Sequence, residues 1–276
     1  GDDGPAGSIY TENSRSAEAT LYYTLRGDAD GESFHPTTTY FGFRYIEVTT
    51  SADVELTNVI GETVTSAVEE KSSFSTSHED INKLYSNVMW GQRSNFVSVP
   101  TDCPQRDERM GWTADTQVFS LTGLYNSDTR NFYKKWMRDV RDSQRSDGAY
   151  SVIAPYHWGV EYASTGSEAG IIVPWNVYVM TGDKDILRDN FEANEHYMQF
   201  LTTKSGGGYQ YNGSDPIHGD WVAYVNTDGR YISVCYYAYV ADLMARTCRA
   251  LSETEGDTYS QKAEQYEQLF QNIKTE

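Results

Sequence analysis

The chain is short of cysteine, proline, histidine and positive charge. Its 276 residues hold 3 Cys, 7 Pro and 5 His. The cysteine number is odd, no CxxC pair occurs, and no His/Cys cluster has zinc-ligand spacing, which excludes a disulfide framework and a zinc module. Cys235 and Cys248 fall in one predicted helix, too far apart along it to bridge. Cys103 has no histidine near it in sequence and reads as a third free thiol rather than a nucleophile. The histidines (His35, His78, His157, His196 and His218) are scattered and read as hydrogen-bonded structural residues. Lys and Arg number 22 against 40 Asp and Glu, a formal net charge of −18. That balance disfavours nucleic acid, whose phosphates it repels, and an anionic membrane surface. No stretch approaches the roughly 18 apolar residues of a membrane helix. No basic-plus-apolar leader opens the chain, and Gly1-Asp2-Asp3-Gly4-Pro5 reads as a processed or trimmed end. The compartment is not legible from these features.

Tyrosine and tryptophan are abundant instead, at 22 Tyr and 6 Trp against 10 Phe. Both join a flat apolar face to a hydrogen-bonding tip, which suits sugar ligands, although many must serve the core. At this length one large domain or two smaller ones are possible, with ample chain for a buried core.

Two patterns follow each other. Residues 8 to about 74 read as β. Ala19 to Leu25 and Thr37 to Thr50 are rich in β-formers, and Gly27 to Gly31 is a turn cluster. Val54 to Ile60 opens with apolar/polar alternation. These are too few strands for a whole sandwich and read as its last part. The pattern changes at about residue 77, where Ser77 and Asp80 resemble a capping box. Ile81, Leu84, Tyr85, Val88 and Met89 then form a helical stripe, and Phe132, Tyr133, Trp136, Met137 and Val140 repeat it. Further helices are predicted over about 115 to 125, 168 to 180 (stopped by Gly182), 185 to 202 and 232 to 252, and at Ala263 to Ile273. About seven helices result, and their stripes are ordinary core faces.

The densest chemistry lies in Thr101-Asp102-Cys103-Pro104-Gln105-Arg106-Asp107-Glu108-Arg109-Met110-Gly111-Trp112-Thr113-Ala114-Asp115. Fifteen residues carry four carboxylates, two arginines and a tryptophan. Pro104 and Gly111 oppose a long helix there, so much of the run is predicted loop. Carboxylates hold sugar hydroxyls and an indole covers a sugar's C–H face. A salt-bridged surface loop is the competing reading of the same charges.

The wording of this run, from Val99-Pro100 through Gly111-Trp112-Thr113 and Asp115-x-Gln117, resembles the active-site signature of bacterial inverting α-L-rhamnosidases. The similarity extends upstream to Gly7-Ser8-Ile9-Tyr10-Thr11-Glu12-Asn13 and Tyr40-Phe41-Gly42-Phe43-Arg44-Tyr45-Ile46-Glu47-Val48. Downstream it includes Ile171-Ile172-Val173-Pro174-Trp175 and His218-Gly219-Asp220-Trp221, so it covers nearly the whole chain. The long motif is specific, whereas Gly-Asp-Trp alone is weak. The resemblance implies an α+β multidomain protein. Residues 1–76 would be the C-terminal part of a β-sandwich domain. Residues 77–276 would be the first half of an (α/α)6 barrel, an incomplete helical toroid. It further implies release of terminal α-L-rhamnose from glycans or glycosides with inversion, no cofactor and no metal, and a bacterial source with a periplasmic or secreted location.

Inverting hydrolysis needs an acid for the leaving oxygen and a carboxylate that activates water from the opposite side, about 6.5–9.5 Å away. Such an acid keeps its proton near neutral pH only through burial or neighbouring negative charge. Asp102, Asp107 and Asp115 lie near enough in sequence to supply charge, and Trp112 to supply an apolar wall. By the resemblance Glu108 is the general acid, and Asp102, Arg106, Trp112 and Asp115 shape the sugar pocket, second-shell support of Glu108 being the alternative for these four. Asp220 and Trp221 are further candidate pocket members, while Trp158 and Trp175 read as core. Asp107, flanked by pocket residues, is expected to point away. The family's general base is a Glu beyond residue 276, a role that Glu161, Glu168, Glu192 and Glu195 do not inherit. Ala114 stands where the pattern usually has Gly, and Glu168 where Asp is commoner. A toroid cut midway exposes apolar faces, which predicts association or instability. The rival readings are a helical-toroid glycosidase for another sugar, a sugar-binding fragment without catalysis, and a purely structural piece.

Overall fold

The structure is a computed structural model and describes residues 5, 7–66, 69–157, 162–209 and 219–275. Trp158, Glu161 and His218, singled out above, lie outside the described residues.

Among the described residues seven α-helices follow one another: α1 (Glu79–Asn95), α2 (Thr113–Asn126), α3 (Arg130–Asp142), α4 (Ala169–Thr181), α5 (Lys184–Lys204), α6 (Gly229–Glu255) and α7 (Asp257–Thr275). Helix α4 contains almost no charge and touches α2, α3, α5 and α6, as a helix apolar on every side must. Helix α3 is amphipathic, and its predicted stripe of Phe132, Tyr133, Trp136, Met137 and Val140 is buried throughout. Helices α6 and α7 pack as a pair and cover α5 with Leu251, Ala263 and Ile273. Gly182 ends α4 at φ +72°, in the left-handed region that glycine enters without a Cβ clash. Asp183 and Asp228 cap α5 and α6 by accepting from the backbone N–H of Asp185 and Arg230.

Two local expectations need correction. The start of α1 is not a Ser77–Asp80 capping box. His78 stands at the cap without a side-chain bond, and the turn is held by Asn82, whose amide bonds both the N–H and the C=O of Thr76. The stripe on α1 is only half covered, with Met89 buried while Ile81 and Leu84 are exposed.

The β-sandwich portion expected over residues 1–76 is not seen as strands among the described residues. Among the described residues before Phe96 no strand forms, and the one bridge there joins Glu70 to Ser127. The pair β1 (Phe96–Val97) and β2 (Val99–Pro100) is a tight antiparallel turn inside the helical part. Extended sequence becomes strand only when its N–H and C=O groups pair repeatedly with a neighbouring chain, and here such bonds are isolated: Gly42 donates to Pro104, Ser66 to Phe96 and Lys71 to Asn126. Side chains that alternation destined for a core stand in the open, among them Tyr22 at 91% and Ile60 at 67% exposure. The predicted turn does form: Gly27 and Gly31 have positive φ, and Glu32 accepts from the N–H groups of Arg26, Gly27 and Asp28. Those bonds, with the Tyr23 hydroxyl bond counted first, hold the Glu32 carboxyl down to about 2.

Candidate functional site

The charged run spans the connection from β2 to α2 with no helix before Thr113. Its floor is fixed by the segment 152–154. Thr113 donates its N–H and hydroxyl to Val152, Ala154 donates to Gly111, and Trp112 bridges to Ile153. Trp136 of α3 donates its indole N–H to the Ala154 carbonyl from inside the core. Gly111 lies so close to this segment that a Cβ there would stand 2.2 Å from the Ala154 oxygen. Trp112 and Met110 pack against Val152, Ile153 and Ala163, so the indole forms one wall of the loop.

On that floor the charged side chains converge. Asp102 accepts from the Met110 N–H at 2.9 Å and pairs with Arg106 at 3.3 Å. Arg106 Nε also lies 2.9 Å from Glu108 Oε2, and Arg15, from far upstream, reaches the same oxygen at 3.0 Å. The Glu108 side chain is 17% exposed. Asp115, in the first turn of α2, is exposed along one side; desolvation first, then the charges of Asp102 and Glu108, push its carboxyl above the ordinary range. Asp102, Arg106, Glu108 and Asp115 are thus electrostatically linked, and Trp112 is the cap residue of the helix that carries Asp115.

The other candidates stand apart. Asp107 points away from this group and bonds the Ser16 hydroxyl. Arg109 adopts φ +53° and turns towards Tyr40, donating to its carbonyl at 3.1 Å and lying over its ring. Asp220 does not join the four. Both its oxygens accept from the Thr227 N–H, which keeps its carboxyl below the ordinary range, and Trp221 is 78% exposed. Their loop still borders the site, because Thr165 bonds the Gly219 carbonyl and Gly166 lies against Ala114. Trp175 packs on the core beside Tyr178, and Glu195 pairs with Lys262.

Sequence reasoning sets Glu168 aside from the site. It is buried, and its carboxyl is pushed up to about 7 by desolvation. Only its place at the head of an apolar helix hinted at this.

Asp102, Cys103 and Glu108 bring three ligand atoms within 4.8 Å of one another. Arg106 occupies the same ground, so the negative charge a cation would need is already paired. Cys103 is buried, and burial pushes its thiol up, away from the thiolate that binds metal or attacks carbon. All three cysteines are free. No helix among the described residues is long and apolar enough to cross a membrane.

A cavity of about 360 Å3 opens between the N-terminal segment and this loop, lined by Ala17, Leu21, Phe41, Pro104, Asp107 and Arg109. Another of about 290 Å3 lies beside Thr65, Glu70, Trp90 and Arg93. Glu108 lines neither.

Residues 69–275 match the bacterial α-L-rhamnosidase six-hairpin glycosidase domain, and residues 4–68 match the bacterial α-L-rhamnosidase concanavalin-like domain. The chain belongs to the bacterial α-L-rhamnosidase family, and its helical part has the fold of that family's glycosidase domain. It is 39% identical over 252 residues to an α-L-rhamnosidase of Streptomyces avermitilis, covering 90% of this chain and 24% of the relative. It is 35% identical over 282 residues to one from Formosa agariphila, covering 98% and 29%. Among solved structures it superposes on the Streptomyces avermitilis α-L-rhamnosidase complexed with L-rhamnose at a TM-score of 0.69 and 36% identity, over 76% of this chain and 20% of that one. For the α-L-rhamnosidase of Dictyoglomus thermophilum the values are 0.68 and 32%, over 76% and 24%. The chain therefore spans about a quarter of the length of the relatives it matches.

Proposed function

We propose that this chain carries the proton-donor side of an α-L-rhamnosidase that removes terminal α-L-rhamnose from glycans or glycosides with inversion. Glu108 is the general acid, Asp102, Arg106, Trp112 and Asp115 form the near part of the sugar site, and Asp220 and Trp221 its edge. Residues 1–76 are the end of a β-sandwich domain, and residues 77–276 the first half of an (α/α)6 barrel whose other half supplies the general base. The observation that carries the reading is the convergence of Asp102, Arg106 and Glu108 beside Asp115 and Trp112 on one braced loop.

An ion pair uses the carboxylate, whereas proton donation uses the acid. Glu108 therefore acts only once Arg15 and Arg106 release the shared oxygen. The Arg15 side chain is 56% exposed, and exposed pairs of this kind are worth about 0–1 kcal/mol, so a sugar in the site suffices to displace it.

The raised carboxyl of Asp115 favours a second reading in which Asp115 is the donor. Leaving groups separate the two. Replacing the acid by its amide abolishes most turnover on substrates with poor leaving groups and spares those whose leaving group needs no proton. In the full-length enzyme Glu108→Gln is expected to show that contrast and Asp115→Asn to lose activity on both substrates. Near wild-type turnover by Glu108→Gln on a poor leaving group rejects the assignment.

A further inference from the structure

We propose that Glu168 is a positioning residue of the sugar site. By holding Thr165 in a left-handed turn, it sets the spacing between the first turn of α2 and the loop of Gly219 to Trp221. The proposal rests on the reading of the site given above.

Glu168 stands at the head of α4, 1% exposed. One oxygen, Oε1, accepts from the Tyr197 hydroxyl of α5 at 3.0 Å and from the Thr165 N–H at 3.4 Å. The other, Oε2, is buried with no hydrogen-bond partner among the described residues. A buried carboxyl without a cation is an expensive occupant of a helical core, and an apolar side chain of the same volume packs there more favourably. What an apolar side chain lacks is the acceptor for Thr165.

Thr165 needs that acceptor. Its φ is +77°, a region that β-branched residues avoid because the Cβ crowds the backbone. The turn it makes is in contact on two sides. Its hydroxyl donates to the Gly219 carbonyl at 3.4 Å, next to Asp220 and Trp221. The following residue, Gly166, sits so near Ala114 that a Cβ there would be 3.1 Å from the Ala114 Cβ, next to Asp115. Two segments that carry proposed sugar contacts thus rest on one turn, and the turn rests on one carboxyl.

The surroundings of the carboxyl are tyrosines: Tyr197 from α5, with the rings of Tyr150 and Tyr162 tilted against it at 5.1 Å and 6.5 Å, and Tyr236 from α6. A charged group at the edge of this cluster is Arg141, beside Tyr150 and bonded to Asn190. Burial accordingly favours the protonated carboxyl up to about neutral pH. The acid form fits the core; the ionised form does not, and it is the form that glutamine cannot adopt.

The test uses the full-length enzyme and has two arms. Hydrogen exchange compares wild type with Glu168→Ala at residues 162–166 and 219–223. The proposal expects protection to fall at both segments together. Unchanged exchange at 219–223 overturns it, whatever the enzyme's activity. In the kinetic arm, Glu168→Ala is expected to raise KM on aryl rhamnosides about tenfold or more while kcat changes less, and Glu168→Gln to keep KM within about twofold of wild type at pH 6. Between pH 6 and pH 8 the wild-type KM rises and that of Glu168→Gln stays level. If Glu168→Ala does not fold, the glutamine profile decides: a KM that climbs with pH as in wild type overturns the proposal. A wild-type enzyme that hydrolyses no rhamnoside defeats the functional reading alone and leaves the exchange arm to judge Glu168.

Discussion

Arg15 and Glu108 meet at 3.0 Å across 93 residues of chain. The segment before the helices thus reaches the most functionally suggestive carboxylate of the molecule. It does so beside two further anchors, the Arg109–Tyr40 contact and the bond from the Gly42 N–H to the Pro104 carbonyl. Because the Arg15 end of the pair is exposed, Arg15→Ala should change stability by less than about 1 kcal/mol. If the pair must open for proton donation, turnover on aryl rhamnosides should be equal to wild type or higher. A tenfold or greater fall in kcat, measured in the full-length enzyme, would assign Arg15 a direct part in holding substrate.

Glu168 makes stability depend on pH in a defined direction. Its carboxyl titrates near 4.5 in the unfolded chain and near about 7 in the fold. Between those values the unfolded state has shed its proton and the folded state has kept it, so raising the pH favours unfolding. Above the folded value the loss is complete, on the order of 3 kcal/mol. The difference in unfolding free energy between wild type and Glu168→Gln, followed by denaturant titration from pH 4.5 to pH 8, should move in favour of the variant as pH rises. A difference independent of pH would mean that the carboxyl is not buried as described.

Gly111→Ala tests the floor of the site. The added Cβ meets a backbone oxygen rather than a flexible side chain, so the segment 152–154 must move. Overpacking of this sort costs about 1–3 kcal/mol or more. A lowered melting temperature should accompany weaker rhamnose binding, because the same displacement shifts Trp112. A variant with unchanged melting temperature and affinity would show the approach to be looser than 2.2 Å.

Trp136→Phe tests the link between core and loop without altering any proposed sugar contact. It removes the donor to the Ala154 carbonyl and leaves that buried acceptor unmet, at about 1–3 kcal/mol. Calorimetric unfolding measures the loss. Rhamnose affinity should fall as well, since Ala154 also donates to Gly111.

The helices were legible because their signals are local. The stripe of Phe132 to Val140 and the stop at Gly182 depend on residues within a turn or two of each other. The stretch before them is harder to read, because alternation in Val54 to Ile60 states which face is apolar but does not name the neighbour that a strand requires. At the site, Asp102, Arg106, Glu108 and Asp115 lie within one run whose wording carries the family resemblance, and the fold brings them together. The parts that Arg15, Tyr40 and Glu168 play are not legible in sequence because their relation to that run is spatial. Asp220 carries a weaker signal: Gly-Asp-Trp is a short motif, and in the fold its carboxylate accepts from the Thr227 N–H.

The loop from Thr101 to Trp112 is gripped on opposite sides, by Val152 to Ala154 beneath and by Arg15, Tyr40 and Gly42 above. The upper grip comes from a part of the chain that contributes nothing else to the carboxylate cluster. Changes within the first 45 positions therefore have a direct mechanical route to the carboxylates of this loop while every acidic group stays as it is.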